Sequence, residues 1–270
     1  MYRLIISDFD GTLRRSDGTV GENTLEAIRA FLRRGGVFAI CTGRMTASIL
    51  PIARELKLPG LAVSFQGGTI SEIETGKRIF EAPFAREDAI SITRKLEELG
   101  HHVHIYTEDE FYCNVDDPYL HMYEDIVGVK GKIEPCLHRF ISESGRKILK
   151  IIAMVRTEDK LPVYQQFCEL FGERFYVTYS AANLVEITPK GQDKGTALCF
   201  LADYYGIDPK DSIALGDNWN DAPMLEAAGL GVAVENAAEE LKCVADLVTA
   251  SNDEDGVGQI VRKYGLGEIQ

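Results

Sequence analysis

Leu4-Ile5-Ile6-Ser7-Asp8-Phe9-Asp10-Gly11-Thr12-Leu13 is the stretch that decides the architecture of this 270-residue chain. Three apolar residues, two of them β-branched, read as a short buried strand. Two aspartates and a glycine follow at once, the composition of a turn leaving that strand. A run that is apolar on both faces belongs in a sheet covered on both sides. Asp8 and Asp10 are two apart and project to one side wherever the backbone stays extended. Carboxylates held that close repel unless a cation sits between them or one keeps its proton. Oxygen ligands of this kind suit magnesium, and Gly11 lets the backbone turn sharply toward a ligand. Taken alone, the same residues also make an ordinary polar turn.

Working outward, the flanking sequence alternates short apolar runs with amphipathic helical patterns. Residues 22–34 carry Leu25, Ile28, Ala30, Phe31 and Leu32 at helical spacing. Strands are expected at 37–41 and 61–65, with a helix at 46–56 between them. The last 80 residues repeat the style, with helices at 194–205, 223–228, 238–244 and 257–264. Strands at 212–215, 231–234 and 247–248 separate those helices. The alternation predicts one doubly wound parallel sheet built from both ends of the chain. The middle differs: His102-Val103-His104-Ile105-Tyr106, Phe111-Tyr112-Cys113-Asn114-Val115, Ile148-Leu149-Lys150-Ile151-Ile152 and Phe175-Tyr176-Val177-Thr178-Tyr179 show alternation and aromatic content. With helices such as 159–171, they predict an antiparallel sheet backed by helices on one face. The division expected is a core of residues 1–83 and 188–270, with an α+β domain of residues 84–187 inserted between them. Ala82-Pro83 and Thr188-Pro189 are the hinge candidates.

In open parallel sheets, ligands bind beyond the carboxyl ends of the strands. Asp8-Phe9-Asp10-Gly11-Thr12, Thr42-Gly43-Arg44 and Gly216-Asp217-Asn218-Trp219-Asn220-Asp221 each follow a core strand. Four aspartates, a threonine and an arginine therefore converge on one edge. Lys194 opens a helix, where a cation opposes the macrodipole. A bound anion between lysine and helix terminus removes that penalty; a solvated lysine paired with Asp193 is the plainer alternative. Thr42 suits either a helix cap or a phosphoryl oxygen. Trp219, the only tryptophan, either walls the site or packs beneath the loop.

Composition narrows the classes. A formal net charge of −13 repels phosphate backbones and argues against nucleic-acid binding. Six cysteines lie no closer than 23 positions (Cys113 to Cys136), which excludes C-x-x-C metal or redox spacings. They are expected as reduced, mostly buried thiols. No stretch approaches the roughly 18 apolar residues of a membrane span, and the N-terminal apolar run is too short for a signal peptide. A cytoplasmic protein without membrane partners is expected, and its oligomeric state is not legible.

The four motifs in this order resemble the haloacid dehalogenase (HAD) superfamily of phosphatases. The insertion is similar to the type IIB cap of its Cof-like subgroup, on a Rossmann-like α/β core. The resemblance implies that Asp8 attacks phosphorus and becomes an aspartyl-phosphate, while Asp10 serves as general acid and base. It implies Mg2+ held by the Asp8 carboxylate, the Asp10 backbone carbonyl and Asp217. Thr42, Gly43, Lys194 and Asn220 would hold the phosphoryl oxygens. Asp221 would support metal-bound water or Lys194, and Arg44 would be a structural partner of the loop. Gln66-Gly67-Gly68 departs from the Asn-Gly of many relatives and bears on how the cap docks.

The substrate expected is a small phosphorylated metabolite such as a sugar phosphate, selected by the cap. A phosphomutase or phosphotransferase is the alternative within the superfamily, and a non-enzymatic phosphoacceptor module is a remote third. All five histidines fall in the insertion. His102-x-His104 would face one way on a strand, but no third metal ligand is evident. A polar face of the cap sheet is the expectation there.

Overall fold

The computed structural model describes residues 2–180 and 183–268. The chain begins β1 (Leu4–Ser7), α1 (Glu22–Arg33), β2 (Val37–Ile40), α2 (Thr46–Glu55), then β3 (Leu61–Ser64), β4 (Thr69–Glu72) and β5 (Arg78–Glu81). The insertion runs α3 (Arg86–Glu98), β6 (His102–Tyr106), β7 (Phe111–Cys113), α4 (Pro118–Val127), β8 (Lys132–Ile133) and α5 (Leu137–Ser144). It continues through β9 (Lys150–Met154), α6 (Lys160–Phe171), β10 (Phe175–Ser180) and β11 (Leu184–Pro189). The chain then returns through α7 (Lys194–Tyr205), β12 (Ser212–Gly216), α8 (Ala222–Ala227), β13 (Leu230–Ala233), α9 (Glu239–Lys242), β14 (Leu247–Val248) and α10 (Gly256–Ile260).

The core sheet has the order β14-β13-β12-β1-β2 and is parallel throughout. Successive side chains of a strand point to opposite faces, and both faces are apolar here. Ile5 joins Phe38, Ile40 and the α1 residues Ala27, Ile28 and Phe31 on one side. Leu4 and Ile6 meet Leu198 and Leu201 of α7 and Met224 of α8 on the other. Burying both faces is what makes β1 read as a continuous apolar run.

Two elements differ from the sequence reading. The third strand does not extend the parallel sheet: it touches β2 only at the Cys41–Val63 bridge and then pairs antiparallel with β4. Ser64 is the one polar residue of β3 and gives no sign of that hairpin. The six-stranded cap sheet, ordered β10-β11-β9-β6-β7-β8, is also not covered on one face alone. Helices α3, α5 and α6 pack on one side around Ile92, Leu137 and Phe167. On the other side α4 contributes Leu120, Tyr123 and Val127, together with Phe65 of the core. The β7–β8 pair is parallel in an otherwise antiparallel sheet. The six cysteines are free, but only Cys41 and Cys113 are buried; Cys199 and Cys243 are exposed.

Phe31 shows how tightly the first core layer is packed. A Cβ at Gly36 would stand 2.5 Å from its ring, and one at Gly265 would stand 3.0 Å from it. The ring fills a notch bounded by the backbone at Gly36 and Gly265. Phe31→Ala is therefore expected to cost about 3–5 kcal/mol, read from the urea midpoint at unchanged m-value. A loss below about 1 kcal/mol would show that the notch collapses.

Candidate active site

β1 ends at Ser7, so Asp8 and Asp10 leave the sheet on a turn rather than side by side on a strand. Gly11 makes the turn with φ +78°, and a Cβ there would stand 2.6 Å from Asp217 Oδ2. Only a glycine admits that approach between the first and last motifs. The two aspartates then part company. Asp8 is buried, with Oδ1 accepting a hydrogen bond of 2.6 Å from Lys194 Nζ. Asp10 is gripped by Arg44, whose Nε donates to Oδ2 at 2.5 Å and whose Nη2 donates to Oδ1 at 2.8 Å. This planar two-point pairing matches the guanidinium fork. Arg44 lies over the Phe9 ring at 5.4 Å, which fixes its plane from below.

Lys194 is the first residue of α7 and has no exposed surface. Its ammonium reaches both Asp8 and Asp221 Oδ1, the latter at 2.5 Å. Asp193 does not pair with it: Asp193 caps α7 through Thr196 N at 2.7 Å. Asp221 Oδ2 accepts from the backbone N–H groups of Asp217 and Asn218 at 2.9 and 3.1 Å. Thr12 Oγ1 donates to Asp217 Oδ1 at 2.8 Å. The fourth motif is thereby wrapped around one buried carboxylate.

The charges respond as expected for so crowded a site. Burial raises Asp8 well above the ordinary carboxylate range; Lys194 opposes this, while Asp221 and Asp217 add to it. Burial and Asp221 raise Asp217 to about 7. Burial disfavours the charged Lys194, but Asp221 and Asp8 outweigh it and hold the lysine above its usual range.

One oxygen from each of Asp8, Asp217 and Asp221 can be chosen so that all three lie within 4.8 Å of one another. Both Asp221 oxygens are already committed, which leaves Asp8 and Asp217 as the carboxylates free to ligate. Oxygen-only donors, buried and short of positive charge, fit a magnesium ion. The Asp10 carboxylate is held by Arg44, so Asp10 has only its backbone to offer that cluster.

A cavity of about 310 Å³ opens above these groups, lined by Asp8, Asp10, Thr42, Gly43, Asp217 and Asn220 from the core. Lys194 and Asp221 lie behind this wall. Thr42 is buried, its Oγ1 accepting from Arg44 N at 3.2 Å. Asn220 Nδ2 donates to Gln66 Oε1 at 3.0 Å. Trp219 packs against the second core cluster and does not line the cavity.

The opposite wall is one that sequence reasoning missed: Tyr123, Val127, Lys150, Ser180, Leu184 and Glu186 of the insertion. Lys150 Nζ donates to Gly43 O at 2.6 Å and pairs with Glu186 at 3.0 Å. Gln66 Nε2 donates to Glu186 Oε2 at 3.2 Å, so Gln66 spans insertion and core. Burial pushes Glu186 up, yet Lys150, Ser180 and Gln66 together hold it below its ordinary range. A single charge inside each of two apolar strands, Ile148–Ile152 and Leu184–Ile187, was the available signal.

The haloacid dehalogenase-like hydrolase family model matches residues 5–261. The chain belongs to this family. It is 31% identical over 288 residues to 5-amino-6-(5-phospho-D-ribitylamino)uracil phosphatase YwtE of Bacillus subtilis, covering 98% of this chain and 99% of that protein. Among solved structures, a haloacid dehalogenase-like hydrolase from B. subtilis superposes with a TM-score of 0.89 at 26% identity, covering 97% of this chain and 99% of that one. The HAD subclass IIB sugar phosphatase BT4131 shares the fold at 21% identity and a TM-score of 0.83, over 98% and 99% of the two chains. Phosphatase is the enzyme class that family and relatives give this chain.

Two outcomes test this electrostatic arrangement. The unfolded chain releases the Asp217 proton near 3.8, whereas the folded, metal-free site keeps it until about 7. Metal-free stability should therefore fall as pH rises from about 4 to 7, and a cation that replaces the protons should restore it. Saturating Mg2+ is expected to raise Tm more at pH 8 than at pH 5; equal shifts would refute the linkage. Lys194→Met, which leaves two buried carboxylates uncompensated, should cost about 3–5 kcal/mol at pH 8 and less at pH 5.

Proposed function

We propose that this enzyme is a magnesium-dependent phosphomonoester hydrolase that forms an aspartyl-phosphate on Asp8. The observation that carries the reading is the buried Asp8 carboxylate at the floor of the cavity. One of its oxygens is tied to Lys194 and the other is available beside Asp217. Magnesium, held by Asp8, Asp217 and the Asp10 backbone carbonyl, would screen the charge between nucleophile and phosphate.

The free Asp8 oxygen attacks phosphorus as the bond to the ester oxygen breaks. Asp10 gives that leaving oxygen its proton, and later takes one from the water that attacks the phospho-aspartate. Breaking the phosphorus–Asp8 bond then releases inorganic phosphate and regenerates the carboxylate. Arg44, which engages both Asp10 oxygens here, holds Asp10 at the rim of the cavity and must release one of them for Asp10 to carry that proton. Thr42, Gly43 and Asn220 hold the phosphoryl oxygens from the cavity wall, and Lys194 compensates their growing charge from beneath Asp8.

We infer that residues 84–187 select the leaving group as a cap. A cavity of about 310 Å³ suits a small molecule. Its far wall presents a hydroxyl from Ser180, the Lys150–Glu186 pair and the Tyr123 ring, groups that recognise hydroxylated carbon chains. The substrate named for YwtE is a phosphate on a ribityl chain. A sugar phosphate or polyol phosphate is therefore the substrate class proposed here.

Phosphate release from a panel of sugar and polyol phosphates, with and without Mg2+, tests the reading. Turnover should require the cation and disappear in Asp8→Asn, while Asp10→Asn should lower kcat by roughly 10²–10⁴. Undiminished turnover in Asp8→Asn would overturn the nucleophile assignment.

A further inference from the structure

The pair His102-x-His104 lacked a third partner in the sequence, and the fold supplies one. Cys113 on β7 lies directly opposite His104 on β6. His102, two residues back on β6, shares the face with His104. His104 and Cys113 are fully buried in the layer between the cap sheet and α4, among Phe111, Tyr106 and Tyr123. This face is not the polar surface expected of the histidines.

The two imidazoles meet edge to edge, with Nε2 of one 3.0 Å from Nε2 of the other. A carboxylate stands behind them: Asp117 Oδ2 lies 3.0 Å from His102 Nδ1. The carboxylate accepts, so His102 Nδ1 carries the proton and its Nε2 presents a lone pair toward His104. One ligand atom each from His102, His104 and Cys113 can be chosen within 4.8 Å of the others. Burial lowers the pKa of both rings, which favours the neutral form that ligates, and raises the Cys113 thiol to about 11, so the cation itself has to displace that proton.

We propose that His102, His104 and Cys113 form a second metal site, in the cap, that takes a zinc-class cation. Two imidazoles and a thiolate are the donors that such an ion prefers. Asp117 is the outer partner that fixes the ring of His102. On binding, the cation takes the place of the proton between the Nε2 atoms and of the Cys113 thiol proton. The His104 proton moves to Nδ1, where Tyr106 Oη lies 3.4 Å away, and the thiol proton goes to solvent. The rings move apart by a few tenths of an ångström to reach Zn–N distances of about 2.0–2.1 Å. A cavity of about 620 Å³ lined by His102, Asp117 and Met154 lies on the His102 side of the group, and a water from it would supply the fourth ligand.

The experiment uses the full chain, stripped of metal and returned to excess Mg2+ so that the aspartate site is filled. Titration with Co2+ should add one equivalent with a sulfur-to-cobalt charge-transfer band that Zn2+ displaces. Cys113→Ser should abolish the band. Asp117→Asn, which keeps a residue able to cap α4, should weaken Co2+ binding about 10–100-fold, with circular dichroism confirming the fold of each variant. Absence of the band in folded wild type would overturn the proposal. So would a band that survives Cys113→Ser and disappears in Cys136→Ser, which would place the metal at the Glu97–Cys136–His138 group instead.

Discussion

One ammonium group sits where three parts of the chain meet. Lys194 has no exposed surface and joins Asp8, at the end of β1, to Asp221, in the loop after β12. Asp221 in turn fixes the Asp217 and Asn218 backbone, and Asp217 receives the Thr12 hydroxyl. Burying a lysine is costly unless its charge is met. The site must therefore assemble with all partners in place or not at all. The same demand leaves Asp8 poised: the lysine favours its charged form, while burial and the neighbouring acids oppose it. A cation brought between Asp8 and Asp217 would shift that balance toward the ionised carboxylate.

The second buried ion pair, Lys150–Glu186, does for the cap what Lys194 does for the core. Lys150 reaches across to the Gly43 carbonyl, and Glu186 reaches Gln66. Gln66 adopts φ +60°, an unusual conformation for a side-chain-bearing residue. It is held there by contacts to both halves, since Asn220 donates to its other amide atom. Gln66, where the family resemblance led to an expectation of asparagine, thus offers a longer side chain that spans the seam. Beside these directed polar contacts, Met45 and Phe65 of the core pack into the apolar layer of the insertion with Tyr106, Tyr123 and Val127. The polar contacts line the cavity on its insertion side.

Much of this was legible from residue order, and the reasons are physical. Apolar runs followed by Asp8, Thr42 or Asp217 identify strand ends, because a buried parallel strand must be apolar until it reaches its edge. The grip of Arg44 on Asp10 was within reach as well. β1 and β2 are in register from Leu4–Val37 to Ser7–Ile40, which carries both motifs to one edge. Other features depend on partners distant in the chain. Nothing near Lys150 announces Glu186 or Gly43, and the side of the cap sheet that α4 would cover was not apparent from its amphipathic pattern. His102 and His104 gained a third neighbour only when β7 paired beside them. The hairpin of β3 with β4 was hidden because both strands are short and carry no Asn-Gly or Asp-Gly turn.

The placement of β1 has a consequence for how the protein is made. Leu4 pairs with Val37 on one side and with Ser212 on the other. On a ribosome the first contact is available early, while the second waits for nearly the whole polypeptide. The cap strands, by contrast, are contiguous in the chain between residues 102 and 189. The inserted unit can therefore organise while the older N-terminal segment still presents the bare backbone edge of β1. Such an unpaired apolar edge is where nascent chains associate wrongly. Pairing with β12 closes it, so a strand that is made early is completed only after the inserted unit has been made.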